Sequence, residues 1–138
     1  MPVRRSAPPS RHLTWEELAC KDGTIYPPEW QMRALTLGFE FEAIRRLAGN
    51  HQIQITSAYR TPAYNRAVGG AQLSQHIEGR ALDLRIPLAL SSSEFFAVCL
   101  ERAREADSRI RGIGRYQTHV HIDTRQSLRL VHWNMTLR

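Results

Sequence analysis

Apolar residues along the chain follow two periods. Trp30, Ala34, Leu37, Phe41, Ile44 and Ala48 recur at alternating steps of four and three, the stripe of one helix face. The spacing predicts a helix over about 28–48, opened by the Pro27-Pro28 break and stopped by Gly49-Asn50. "LTWEELAC" predicts a shorter helix, with Thr14 as N-cap and Glu17 closing a capping box. Ser91 and Glu94 form the same signature before a helix to about Ala106, where Phe95, Val98, Cys99, Arg102 and Ala106 fall near one side. Elsewhere the period is two. Ile53 and Ile55 alternate in "HQIQITS", and Leu82, Leu84 and Ile86 alternate in "ALDLRI". "GIGRY" and "THVHIDTR" read as two further strands in a hairpin, and residues 57–75, with Pro62, Asn65, Gly69 and Gly70, read as a loop. The order predicts an α+β fold, a small mostly antiparallel sheet with helices packed on one face.

Length and charge narrow the picture. The 138 residues suit one domain, expected over 12–138 behind a loose basic arm at 1–11. The chain is expected to be a monomer. Net charge is +6, carried by arginine except for Lys21, and it favours an anionic partner. The arginines are scattered rather than clustered among stacking aromatics, which speaks against specific nucleic-acid binding. No apolar run approaches the roughly 20 residues of a membrane helix, so no membrane insertion is expected. The basic start "MPVRRSAPPSR" leads into no apolar segment, so synthesis in the cytoplasm without a signal peptide is expected. Cys20 and Cys99 are far apart, which argues against a zinc finger or a disulfide scaffold. Cys99 is expected to be a buried small apolar residue.

One residue breaks the apolar pattern. Asp83 sits among Ala81, Leu82, Leu84 and Ile86, an expensive place for a charge without a cation beside it. Arg80, Arg85 or a metal ion would each serve. In "HVHID", strand alternation sends His119, His121 and Asp123 to one face, neighbours roughly 7 Å apart. If that strand lies beside "ALDLRI", Asp83 reaches the same spot, and His76 on the loop leading in adds a third ligand. His76, Asp83 and His121 then make an N, O, N set that suits zinc with a fourth position open. Each piece has a duller reading. H-x-H arises by chance, Asp83 can pair with an arginine, and His12, His51 and His132 read as surface or hydrogen-bonded residues.

"SAYRTPAYNRAVGGAQLSQHIEGRALDLRI" and "GIGRYQTHVHIDTR" resemble the zinc D-Ala-D-Ala carboxypeptidase family. That family includes the L-alanyl-D-glutamate endopeptidases of phage lysins and shares its fold with the hedgehog signalling domain. The shared pattern is S-x-H-x-x-G-x-A-x-D, here Ser74 to Asp83, followed by a late H-x-H. The likeness runs from about Leu13 to Trp133. It implies zinc on His76, Asp83 and His121, with His119 beside the activated water and Arg60 gripping a substrate carboxylate. Zinc brings the pKa of such a water toward about 7. Ser74 is expected to brace the loop near His76, on the substrate side with Arg60. The substrate implied is the stem peptide of bacterial peptidoglycan.

The sequence departs from family members that carry Glu-x-x-His, because Thr118 stands three residues before His121. His119 thus leads as the proton-transfer group, with Tyr116 as a hydrogen-bond donor to the oxyanion. Asp123 is read as orienting a histidine or pairing with Arg125, and Glu78 as a solvated surface residue. The expected role is a compact phage or prophage lysin acting on the wall after release, or a virion-associated enzyme. The alternative is a non-catalytic, zinc-braced binding module on the same fold.

Overall fold

A computed structural model describes residues 7–136. In chain order the elements are α1 (Trp15–Leu18), a 3-10 turn (Pro28–Trp30), α2 (Gln31–Leu47), β1 (Ile55–Ser57), α3 (Pro62–Ala67), β2 (Ala81–Arg85), α4 (Ser92–Ala103), β3 (Gly112–Arg115), β4 (His119–Asp123) and β5 (Val131–Asn134). The strands form one sheet in the order β1-β2-β4-β3-β5. Every neighbouring pair is antiparallel except β3 and β5, which run parallel. The α+β architecture expected from the periodicity is the one observed.

Alternation fixes which residues go where. Leu82 and Leu84 from β2 and Val120 and Ile122 from β4 are fully buried in a core shared with Leu37, Phe41 and Ile44 of α2 and Phe95 and Cys99 of α4. Each such large aliphatic contributes about 1.5–3 kcal/mol by leaving water. The intervening residues Asp83, His121 and Asp123 therefore sit on the sheet face turned away from α2 and α4. Both predicted capping boxes are present, with Thr14 accepting from Glu17 N and Ser91 from Glu94 N. His12 binds Glu42, while His51 and His132 are exposed.

Four features differ from the periodic reading. The long loop contains α3, capped by Thr61 and opened by Pro62. A proline that looks like a breaker is pre-organised for a helix's first position. β5 was not foreseen, because Val131, His132 and Asn134 are exposed and give no alternating apolar signal. α4 stops at Ala103 rather than about Ala106, and Arg104 to Asp107 are exposed. Finally, part of the segment read as a loose arm is held in place. Pro9 is buried, and Ser10 Oγ donates to Glu42 Oε2 at 2.6 Å. Residues 1–6 of that arm lie outside the described residues.

One buried ion pair ties the two long helices together. Glu40 of α2 is fully buried and accepts from Arg102 of α4 through Nη2 at 2.8 Å and Nε at 3.2 Å. Its other oxygen takes Arg109 N at 3.0 Å and the Ser108 hydroxyl. Every lone pair facing the protein is used, the condition under which a buried charge is tolerated.

Candidate metal centre

The antiparallel register of β2 and β4 places Asp83 directly opposite His121. Asp83 Oδ1 lies 3.0 Å from His121 Nδ1 and 3.1 Å from His76 Nε2. One ligand atom from each of the three residues lies within 4.8 Å of the others, and all three residues are buried. His76 arrives on a turn whose Gly79 has φ +65°, a conformation glycine adopts without strain. Tyr26 closes that turn by donating its hydroxyl to Gly79 O at 2.6 Å. Ser74 Oγ accepts from His76 N at 3.1 Å, so Ser74 braces the loop beside the histidine.

Both rings are oriented from behind. His76 Nδ1 lies 2.6 Å from Ala58 O, and His121 Nε2 lies 2.7 Å from Asp123 Oδ2. In neutral imidazoles those bonds assign the N–H to the rear nitrogen of each ring. His76 Nε2 and His121 Nδ1 then present lone pairs to a carboxylate oxygen that is also an acceptor. With those tautomers three acceptors face one point with no proton among them, an arrangement that a bound cation would satisfy. The N, O, N donor set matches zinc. Asp123 both orients His121 and pairs with Arg125, whose Nε and Nη2 each lie 2.8 Å from one of its oxygens. The two readings of Asp123 hold together.

Charge reinforces the geometry. Burial raises the Asp83 pKa, but hydrogen bonds from His121 and His76 outweigh it and hold the carboxyl well below its usual range. Asp123 is likewise pushed up by burial, and Arg125 and His121 bring it down to about 2. Burial works against a charged His121, yet Asp123 and Asp83 raise its pKa. A bound cation reverses that preference, because a ligating ring must give up its proton.

His119 stands at the mouth. Its Nε2 is 3.8 Å from Asp83 Oδ2, and its ring stacks on Tyr116 at 4.5 Å and 6°. Burial lowers the His119 pKa, Asp83 opposes, and His121, His76 and Arg60 add to the lowering. Tyr116 Oη accepts from Trp133 Nε1 at 3.0 Å, leaving its own proton to donate. Arg60 donates Nε to Ser57 Oγ at 3.0 Å and Nη1 to Asn65 Oδ1 at 3.2 Å. Its Nη2 lies 3.5 Å from Asp83 Oδ2. Arg80 and Arg85, the cations first offered for Asp83, make no ion pair with it; Arg60 and the histidines do. Arg60, Ser74, His76, Asp83, Tyr116, His119 and His121 line one cleft of about 510 Å³. Glu78 stays outside it, exposed and 3.7 Å from Arg33.

Two contributors escaped the sequence reading. Asn65, buried on α3, fixes Arg60 while its Nδ2 donates to Ala71 O at 2.9 Å. Trp133, on the unforeseen β5, bridges Tyr116 and the His121 ring, whose centroid is 5.4 Å away. The signal for both strands' crowding was the "GIG" of β3. A side chain at Gly112 would collide with the Asp123 carboxylate, and one at Gly114 with the Trp133 indole.

No curated protein matches the chain. Residues 11–123 match the family model described as Peptidase M15, and that span covers most of the chain. With a ligand triad suited to zinc set in a cleft beside a histidine and an arginine, the chain belongs to the M15 family of zinc-dependent metallopeptidases.

Proposed function

We propose that this chain is a zinc metallopeptidase cutting peptide bonds in the stem peptides of bacterial peptidoglycan. His76, Asp83 and His121 would hold the ion, through Nε2, Oδ1 and Nδ1. The supporting observation is the convergence of those three acceptor atoms within 4.8 Å of one another. Zinc held there supplies Lewis-acid polarisation of a carbonyl and lowers the pKa of water.

The chain's own residues do the rest. His119, kept neutral by burial, accepts a proton at Nε2 from the attacking water and returns it to the leaving amine. Among the described residues lining the cleft, Asp83 is the one carboxylate, so no glutamate competes for that role. Tyr116 donates its hydroxyl to the developing oxyanion. Arg60 holds a substrate carboxylate, a planar grip that lysine cannot copy. Ser74 keeps His76 in place at the substrate side. The net charge of +6 draws the protein to an anionic wall. The corresponding biological role is that of a lysin reaching the wall after membrane breach, or of an enzyme carried on a virion. The rival is a non-catalytic, zinc-braced module. The stacked His119–Tyr116 pair at the mouth favours catalysis, since a brace needs neither group there.

Clearing of purified walls is the test. Turbidity should fall with zinc, stop with EDTA, and return on adding zinc back. His121→Ala should abolish it. Mass spectrometry of the released muropeptides identifies the cut bond. Clearing that survives EDTA, or intact stem peptides after digestion, would overturn the proposal.

A further inference from the structure

The cleft continues past the metal centre. Ser74, Gln75 and Arg125 line it and also line an adjoining concavity of about 490 Å³ that contains Arg33 and Arg80. Arg80 and Arg125 in turn border a third concavity, of about 450 Å³, with Arg109 and Arg111. Shared lining residues place the three concavities side by side around the end of the sheet; Glu78 borders the middle one, and the far one is rich in arginine.

Two of these cations are matched, Arg125 by Asp123 and Arg33 by Glu78. Among the described residues, Arg80, Arg109 and Arg111 have no acidic partner at ion-pair distance. Arg111 is held in place by its Nη1, which donates to Ser108 O at 3.1 Å and Ile110 O at 2.8 Å. The backbone assembles the cluster. Thr124 N donates to Arg80 O and Arg111 N to Asp123 O, each at 2.9 Å, which sets both at one end of β2, β3 and β4, while Arg109 N donates to Glu40 Oε1 at 3.0 Å. Burial and the neighbouring Arg33 lower the Arg80 pKa, and Glu78 only partly opposes them; a bound anion would add to that opposition. Arg80 precedes Asp83 by three residues, so strand alternation turns it toward α2, whose Thr36 and Arg33 border the same concavities.

We propose that Arg80, Arg109 and Arg111 form a second carboxylate subsite, for an acidic side chain of a peptide that extends beyond the cleft around the end of the sheet. This rests on the peptidase reading above. The planar guanidinium fork suits a carboxylate. A peptide is favoured over nucleic acid for two reasons. The arginine-lined concavity adjoins, through the one between them, the cleft where a peptide would be cut. It also has no aromatic lining residue on which a base could stack.

The test is a titration of arginine Nε–Hε signals by NMR, using tetraglutamate, tetraglutamine and tripolyphosphate on the zinc-loaded chain. Assignments come from R80Q, R109Q and R60Q. Tetraglutamate should move the Arg80 and Arg109 signals, and tetraglutamine should not. The R80Q/R109Q double variant should melt with the parent and bind tetraglutamate on the order of tenfold more weakly. The same variant should raise KM and spare kcat on acidic stem peptides. Unmoved signals, equal affinity in the double variant, shifts confined to Arg60, or tighter binding of tripolyphosphate at these arginines would each overturn the proposal. The titration needs no turnover. Failure to clear walls therefore strikes the peptidase reading even where tetraglutamate binds, and failure to bind strikes this subsite alone.

Discussion

Asp123 Oδ2 lies 2.7 Å from His121 Nε2, and Arg125 grips both oxygens of the same carboxylate. The histidine that faces Asp83 is thus aimed by a charge that is itself anchored. Partners of this kind typically change metal affinity 10- to 100-fold. Asp123→Ala should weaken zinc binding by about that factor in a chelator competition assay, and Asp123→Asn by less, since an amide oxygen can still accept. Equal affinity in Asp123→Ala would mean the ring needs no such anchor.

Asp123 also makes a pH prediction. Burial opposes ionisation, but Arg125 and His121 win and take its pKa from 3.8 to about 2 in the folded chain. A depressed carboxyl stabilises the fold above its unfolded pKa and loses that contribution as pH falls through its folded pKa. The stability difference between parent and Asp123→Asn should therefore shrink between about pH 4 and about pH 2, by about 2 kcal/mol. Denaturant titrations of the zinc-free proteins across that window would measure it. A constant gap would contradict the assignment.

Glu40 and Arg102 form the most secluded ion pair described, with side chains 0% and 3% exposed. Removing one partner strands the other, and Glu40→Ala should cost about 3–5 kcal/mol in urea unfolding. Replacing both by methionine should cost less than either single change. A double variant as unstable as the sum of the singles would show that packing, not charge, dominates there.

Arg60 is held at two nitrogens by Ser57 and Asn65, with Nη2 turned toward the cleft. Arg60→Lys should lower kcat/KM on carboxylate-bearing stem peptides by tenfold or more, about the worth of one charged hydrogen bond. Amidated stem peptides should narrow the gap between the two proteins. A variant that loses equally on both substrates would show that Arg60 acts only as a brace for Asp83.

The parts legible in the sequence are those where one period runs long enough to be read. The stripe from Ala34 to Ala48 and the alternation around Leu82 and Val120 gave the long helix and the central strands. His76, Asp83 and His121 stood out because histidine and aspartate are unusual inside or beside such strands. Short or mixed elements stayed hidden. Six-residue α3 begins with a proline, and β5 exposes most of its side chains, so neither leaves a hydrophobic rhythm. The roles of Asn65, read only as a loop residue, and of Trp133 stay hidden with them. Glu40 was missed for another reason: an acid on a helix reads as solvent-facing, and only the partner sixty-two positions away makes its burial tolerable.

β4 is flanked by β2 on one side and β3 on the other. The strand bearing His121 is therefore clamped along both edges by main-chain bonds that owe nothing to an ion. Stripping and reloading should behave like emptying and refilling a rigid socket. The far-ultraviolet circular dichroism of the chelated protein should match that of the loaded one, and one equivalent of zinc should restore whatever chelation removes, without a refolding phase.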